Sequence, residues 1–208
     1  MKTKIIPAAL VAILVASTVT SLNAAENTSV NVQFRGKIIA ETCEISTDQT
    51  DNSIYLKNWR AGYFTNNDVS EPVDFNLKIT KCQLIRDEAG LDHGKIPTSL
   101  VYLSFDPHSS SVSNGTLSNT TTAGSGGAQN VGVLVQFKPT SGDFFNAFGS
   151  TTGVTNHELK DMDIWTNGSD SDPVAFVPMR AMLSRTNKPN FPTAGDVTAD
   201  INVTINYH

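Results

Sequence analysis

Val197-Thr198-Ala199-Asp200-Ile201-Asn202-Val203-Thr204-Ile205-Asn206-Tyr207-His208 is the longest alternating stretch of the sequence. Val197, Ala199, Ile201, Val203, Ile205 and Tyr207 are apolar, and the residues between them are polar. A period of two puts the first set on one face of a strand and the second set on the other. Five more runs share the pattern. They are Val30, Val32, Phe34, Gly36 and Ile38; Val73, Phe75, Leu77 and Ile79; Val101, Leu103 and Phe105; Val131, Val133, Val135 and Phe137; and Ala175, Val177, Met179, Ala181 and Leu183. Helical spacing is nowhere sustained beyond a short turn at residues 143–148. Asn114-Gly115 and Asn167-Gly168 mark tight turns. Residues 109–129, rich in Ser, Thr, Asn and Gly, read as an exposed loop with a weak strand at its centre. Pro189 and Pro192 keep residues 187–195 out of any central strand. Short strands at this spacing predict one all-β sandwich domain, without internal repeat.

The 208 residues carry a formal net charge of −5, with a pI near 5.3. Lys and Arg are scattered singly, which excludes a nucleic-acid-binding surface. Near the start, Lys2 and Lys4 precede an apolar run, residues 5–16. That run is too short to span a bilayer as a helix. With the small residues that follow, it reads as a secretory signal peptide over residues 1–24, cleaved after Ala24 or, alternatively, after Ala25. No later segment is long and apolar enough for stable membrane insertion, so the mature chain is expected to be exported. Cys43 and Cys82 are the two cysteines. An even count in an exported chain reads as one disulfide. Two isolated cysteines without a nearby pair of histidines make a poor metal site.

The informative features are the two ends of the mature chain. Val32-Gln33-Phe34-Arg35-Gly36-Lys37-Ile38, the separation of Cys43 from Cys82, Asn130-Val131-Gly132-Val133, and the penultimate Tyr207 together resemble subunits of chaperone–usher pili, of the type 1 and P pilus kind. Gly195 lies fourteenth from the end, counting His208 as first, which is the family's C-terminal pattern. The resemblance covers essentially the whole mature chain. It implies an incomplete immunoglobulin-like β-sandwich lacking its final strand, completed by a donor strand from a neighbouring subunit or chaperone. Residues 25–38 would be the donor extension, carrying Val30, Val32, Phe34, Gly36 and Ile38, and residues 39–208 the pilin domain. Gly195, Ile201, Val203, Ile205 and Tyr207 would border the acceptor groove, and the His208 carboxylate would be anchored by a periplasmic chaperone. The expected partners are further pilin subunits, that chaperone and an outer-membrane usher. The expected destination is an adhesive fimbria on the bacterial surface, where the fibre could reach a host receptor. A receptor- or glycan-binding minor or tip subunit is the alternative. On alternation alone, Val30–Ile38 and Val197–Tyr207 serve equally as first and last strands of a closed sandwich.

Catalytic patterns are missing: the sequence has no nucleophile elbow, phosphate loop or H-E-x-x-H. No enzymatic activity and no cofactor are expected. His93, His108 and His157 sit in polar contexts and read as surface residues. Asp161, Asp163, Asp170 and Asp172 lack EF-hand spacing and read as loop acids. Gly124-Ser125-Gly126-Gly127 has no following helix to cradle a phosphate. Asn119-Thr120-Thr121 matches a glycosylation acceptor, a pattern common by chance. Trp59 and Trp165 read as packing residues before sugar-stacking ones.

Overall fold

The computed structural model describes residues 43–85, 95–149, 152–169 and 172–207. Residues 1–24 and 25–38, expected as leader and donor extension, lie outside the described residues, as do His93, Asp170 and His208. The chain is all-β, with short 3-10 turns but no α-helix among the described residues. Its strands are β1 (Glu44–Thr47), β2 (Val73–Thr80), β3 (Gln83–Ile85), β4 (Lys95–Pro97), β5 (Val101–Asp106), β6 (Val112–Ser113), β7 (Thr116–Ser118), β8 (Val131–Phe137), β9 (Phe145–Asn146), β10 (Thr155–Glu158), β11 (Trp165–Ser169), β12 (Asp172–Arg185) and β13 (Asn202–Tyr207).

Two sheets carry the domain. The larger runs β1-β2-β12-β8-β7-β6, with β11 added to β12 and β9 to β8. The smaller runs β10-β5-β13. All pairs within both sheets are antiparallel. Register follows from alternation, because a slip of one residue would turn every apolar side chain outward. Phe75, Leu77 and Ile79 of β2 sit opposite Met179, Val177 and Ala175 of β12. On its other side, β12 sets Ala181 and Leu183 against Val135 and Val133 of β8. The facing sheet contributes Val101, Leu103 and Phe105, each fully buried. Phe148, Leu159 and Met162 fill the space beside them.

Local expectations are met in part. Residues 109–129 hold the expected strand structure near their centre, with Asn114 (φ 50°) and Gly115 (φ 74°) turning the β6–β7 hairpin as expected, but Val112 and Leu117 enter the core rather than an exposed loop. Asn167 and Gly168 form no turn but lie inside β11, opposite Val174 and Pro173 of β12. Residues 143–148 contain β9, which pairs with β8, and a short turn follows it, Gly149 N–H donating to the Asn146 oxygen at 3.2 Å. His157 is not a surface residue. Its Nε2 lies 2.7 Å from the Ala147 carbonyl oxygen, and its ring sits among Phe105, Phe137 and Phe145. Finally, the C-terminal strand begins only at Asn202. β5 ends opposite it at Asp106, so residues 197–201 have no sheet strand on that side.

Cys43 and Cys82 form the expected disulfide, with Cα atoms 5.0 Å apart. It ties the start of β1 to the turn after β2. The Tyr207 hydroxyl accepts a hydrogen bond from the Cys43 backbone N–H at 3.0 Å, so the last described residue is fastened to the same point. At the opposite end of the molecule, Asp68 accepts a hydrogen bond from Lys188 Nζ (2.6 Å) and lies 3.5 Å from Arg185. Arg185 also donates to the Pro189 and Asn190 carbonyl oxygens and stacks over Phe191. These contacts fix the loop that leads into Gly195.

Opening the disulfide in a Cys43→Ala/Cys82→Ala variant is expected to lower stability by about 4 kcal/mol in the chain-entropy picture of a loop of this size, read by urea unfolding. The Lys188 hydrogen bond, with Lys188 and Arg185 charge, holds the Asp68 carboxyl below its ordinary value of 3.8. A depressed carboxylate stabilises the fold above its unfolded-state pKa, and that contribution fades as pH falls through the folded value. Asp68→Asn should therefore shrink the difference in melting temperature between pH 7 and pH 3.

Candidate functional site

The apolar positions of the C-terminal run never reach full burial. Val197, Ala199, Ile201, Val203, Ile205 and Tyr207 are all half-buried, while Thr198, Asp200, Asn202 and Thr204 are exposed. The first set packs against the core from one side only. Beside them runs a groove of about 1040 Å³. One wall is formed by residues 195–202 and the other by residues 52–59. Phe75, Leu117, Val133, Val135, Ala181 and Leu183 line it between the walls, so its floor is the core face of the larger sheet. Ile54, Leu56 and Trp59 of the second wall pack against that core. The indole N–H of Trp59 donates to the Leu56 carbonyl oxygen at 2.9 Å, which sets the ring in place.

The backbone along the first wall is equally one-sided. Asp196 N–H donates to the Gly126 oxygen, and the Asp196 oxygen accepts from Ala128 N–H. The Thr198 oxygen accepts from Thr120 N–H, and Thr198 N–H donates to Asn119 Oδ1. Asp200 N–H donates to Ser110 Oγ. Val197, Ala199 and Ile201 make no backbone hydrogen bond among the described residues. Neighbouring residues of an extended chain aim their N–H and C=O groups at opposite edges. The odd-numbered residues therefore direct their backbone groups at the groove and their side chains at the core. Continuing the alternation into β13 assigns Val203 and Ile205 to the same edge, which borders no strand of the smaller sheet.

Gly195 stands at the head of this wall with φ +150°. A Cβ there would collide with the backbone at Gly126, Gly127 and Ala128. Only glycine lets these two backbone segments approach so closely.

The structure thus brings Gly195 and Ile201 into the groove wall. Val203, Ile205 and Tyr207 continue the same edge beyond it, toward the disulfide. Sequence reasoning missed the opposite wall. Ile54 and Leu56 alternate with Tyr55 and Lys57, but a run of four is too short to stand out. It also missed Leu117, whose polar neighbours hid it. Trp59 is half-buried at the groove, whereas Trp165 is 45% exposed and stacks on Phe176. No group of His, Cys, Asp and Glu that could hold a metal ion occurs among the described residues.

The described residues thus form an antiparallel, immunoglobulin-like sandwich whose C-terminal strand leads from a groove over the core of the larger sheet. A model of the fimbrial protein family matches residues 32–208, and the chain belongs to that family. It is a structural pilus protein rather than an enzyme. Among solved structures, it is similar to the P pilus rod subunit PapA at 18% identity and a TM-score of 0.49, over 86% of this chain and 100% of that one. It is also similar to a chain from the structure of a chaperone–usher pilus, at 20% identity and a TM-score of 0.47, over 88% and 97%. No curated protein matches.

Gly195→Ala is expected to cost about 1–3 kcal/mol through backbone strain alone, and more through the collision with residues 126–128. The check is urea unfolding beside an exposed control, Gly142→Ala, where backbone strain arises at φ +95° but a Cβ meets nothing.

Proposed function

We propose that this fimbrial protein polymerises head to tail by donor-strand exchange, residues 25–38 of one copy entering the groove of the next. The observation that carries the reading is the edge formed by Val197, Ala199 and Ile201. Its backbone groups have no partner among the described residues, and it flanks a groove floored by core side chains. An added strand satisfies such an edge with main-chain hydrogen bonds, while its alternate side chains fill the groove.

The extension has matching chemistry. In an extended strand, Val30, Val32, Phe34 and Ile38 would share one face. Fully buried, they contribute roughly 6–12 kcal/mol in gross terms, partly offset by the entropy of ordering the segment. Gly36 suits a place where the floor is shallow. Fourteen extended residues reach about 46 Å, against about 36 Å for the edge from Val197 to Tyr207. A head-to-tail contact of this kind builds open filaments.

Before assembly, the same edge is an aggregation hazard. On this reading a periplasmic chaperone covers it, anchored at the His208 carboxylate, and an outer-membrane usher exchanges that cover for the next subunit. The product is a surface fibre that contributes to cell adhesion.

The test uses the oxidised subunit lacking residues 25–38, melted with and without a peptide spanning residues 27–40. At a free peptide concentration a hundredfold above Kd, stabilisation of about 2.7 kcal/mol is expected, with peptide retained through gel filtration. An unchanged melting curve from an already stable monomer would overturn the reading.

A further inference from the structure

The two halves of the acceptor edge are supported by different means. From Asn202 to Tyr207 the edge is backed by β5 in continuous register. β5 ends at Asp106, and the chain then turns at residues 107–110. Asp196 and Thr198, on either side of Val197, are held instead by residues 119–128, which make no regular sheet with them, and Asp200, between Ala199 and Ile201, is held by Ser109 and Ser110.

Asn119 joins the pieces. Its Nδ2 donates to the Ala128 oxygen at 2.9 Å and to the Asp196 oxygen at 2.8 Å. Its Oδ1 accepts from Thr121 N–H at 3.1 Å and from Thr198 N–H at 2.9 Å. Two donors and two acceptor sites are the whole capacity of a carboxamide, and all are used. Two of the bonds stay within the supporting loop and two cross to the edge. The Thr198 hydroxyl reinforces the link, lying 2.7 Å from both the Thr120 and the Thr121 hydroxyls. Thr121 itself lines the groove.

We propose that Asn119 is a positioning residue of the acceptor groove, holding Val197 and Ala199 in place to receive a strand where the sheet does not. This rests on the donor-strand reading above. Asn119 does not touch the incoming strand in this role. It sets the line along which these two edge residues present their N–H and C=O groups. Asn119→Asp is nearly isosteric and keeps the acceptor. It removes both donors and sets a carboxylate oxygen against the Ala128 and Asp196 carbonyl oxygens, so the segment should leave its line.

The experiment is residue-resolved amide hydrogen exchange on the mature subunit bound to the peptide of residues 27–40. In the wild type, protection by peptide is expected at Val197, Ala199, Ile201, Val203 and Ile205. In Asn119→Asp, protection at Val197 and Ala199 should fall roughly tenfold, the loss of one to two hydrogen bonds' worth of stability, while Ile201, next to the Asp200 held by Ser109 and Ser110, stays with Val203 and Ile205 within about twofold. Thr198→Val removes only the hydroxyl and should give the same spatial pattern at smaller amplitude. It decides the matter alone if Asn119→Asp does not fold. Uniform loss at all five amides, or no loss, would overturn the positioning role and leave donor-strand capture standing. A wild-type subunit that gains no protection from the peptide would overturn donor-strand capture, and this inference with it.

Discussion

Everything in this domain follows from a run of residues that face two ways at once. Along the C-terminal segment, the odd-numbered side chains pack on the core while their backbone groups point into the groove. The even-numbered residues do the opposite, with side chains in solvent and backbone groups bound to the rest of the fold. Among the described residues, a strand so placed leaves an edge without a backbone partner beside the groove, the situation that folded proteins normally avoid. The surrounding structure holds that edge open. The disulfide and the Tyr207 hydroxyl fasten one end, and the glycine contact at Gly195 fastens the other.

The larger sheet makes this possible energetically. Its interior strands β2, β12 and β8 stack three alternating apolar rows in register, and these meet the fully buried Val101, Leu103 and Phe105 of the smaller sheet. That part of the core is complete without the groove. The rows extend past the smaller sheet to Val133, Ala181 and Leu183, which end at the groove floor. The domain therefore has one half of its core enclosed between the two sheets and another half whose buried side chains line the groove. On the proposed donor-strand reading, such a division would let folding and polymerisation draw on one core.

Residues 119–128 illustrate how polar chemistry serves that arrangement. Their composition is that of a flexible loop, yet Asn119, Thr120, Thr121 and Gly127 are engaged with the 195–198 segment. The loop acts as a short substitute for a sheet partner where β5 has already turned away. Asn119 is suited to it because a carboxamide bonds two carbonyl oxygens and two N–H groups at once.

The alternating runs at residues 73–79, 101–105, 131–137 and 175–183 named four core strands correctly, because a period of two fixes which face is buried whatever the partner. The cysteine pair was legible for the same reason of simplicity: two thiols in an exported chain have one pairing. Gly195 and Tyr207 stood out by position, but their physical roles did not. A glycine needed for close backbone approach looks like any other glycine until its neighbour is in place. The opposite groove wall, the buried Leu117, the aromatic surroundings of His157 and the Asn119 network were hidden. Each depends on contacts between residues distant in sequence, whose composition reads as loop. Alternation in the sequence thus determined the strands and their faces, which are local properties of the chain. Only the tertiary structure decided where β5 stops short of the C-terminal run, and so where the edge stays open, because that depends on how far two distant strands overlap.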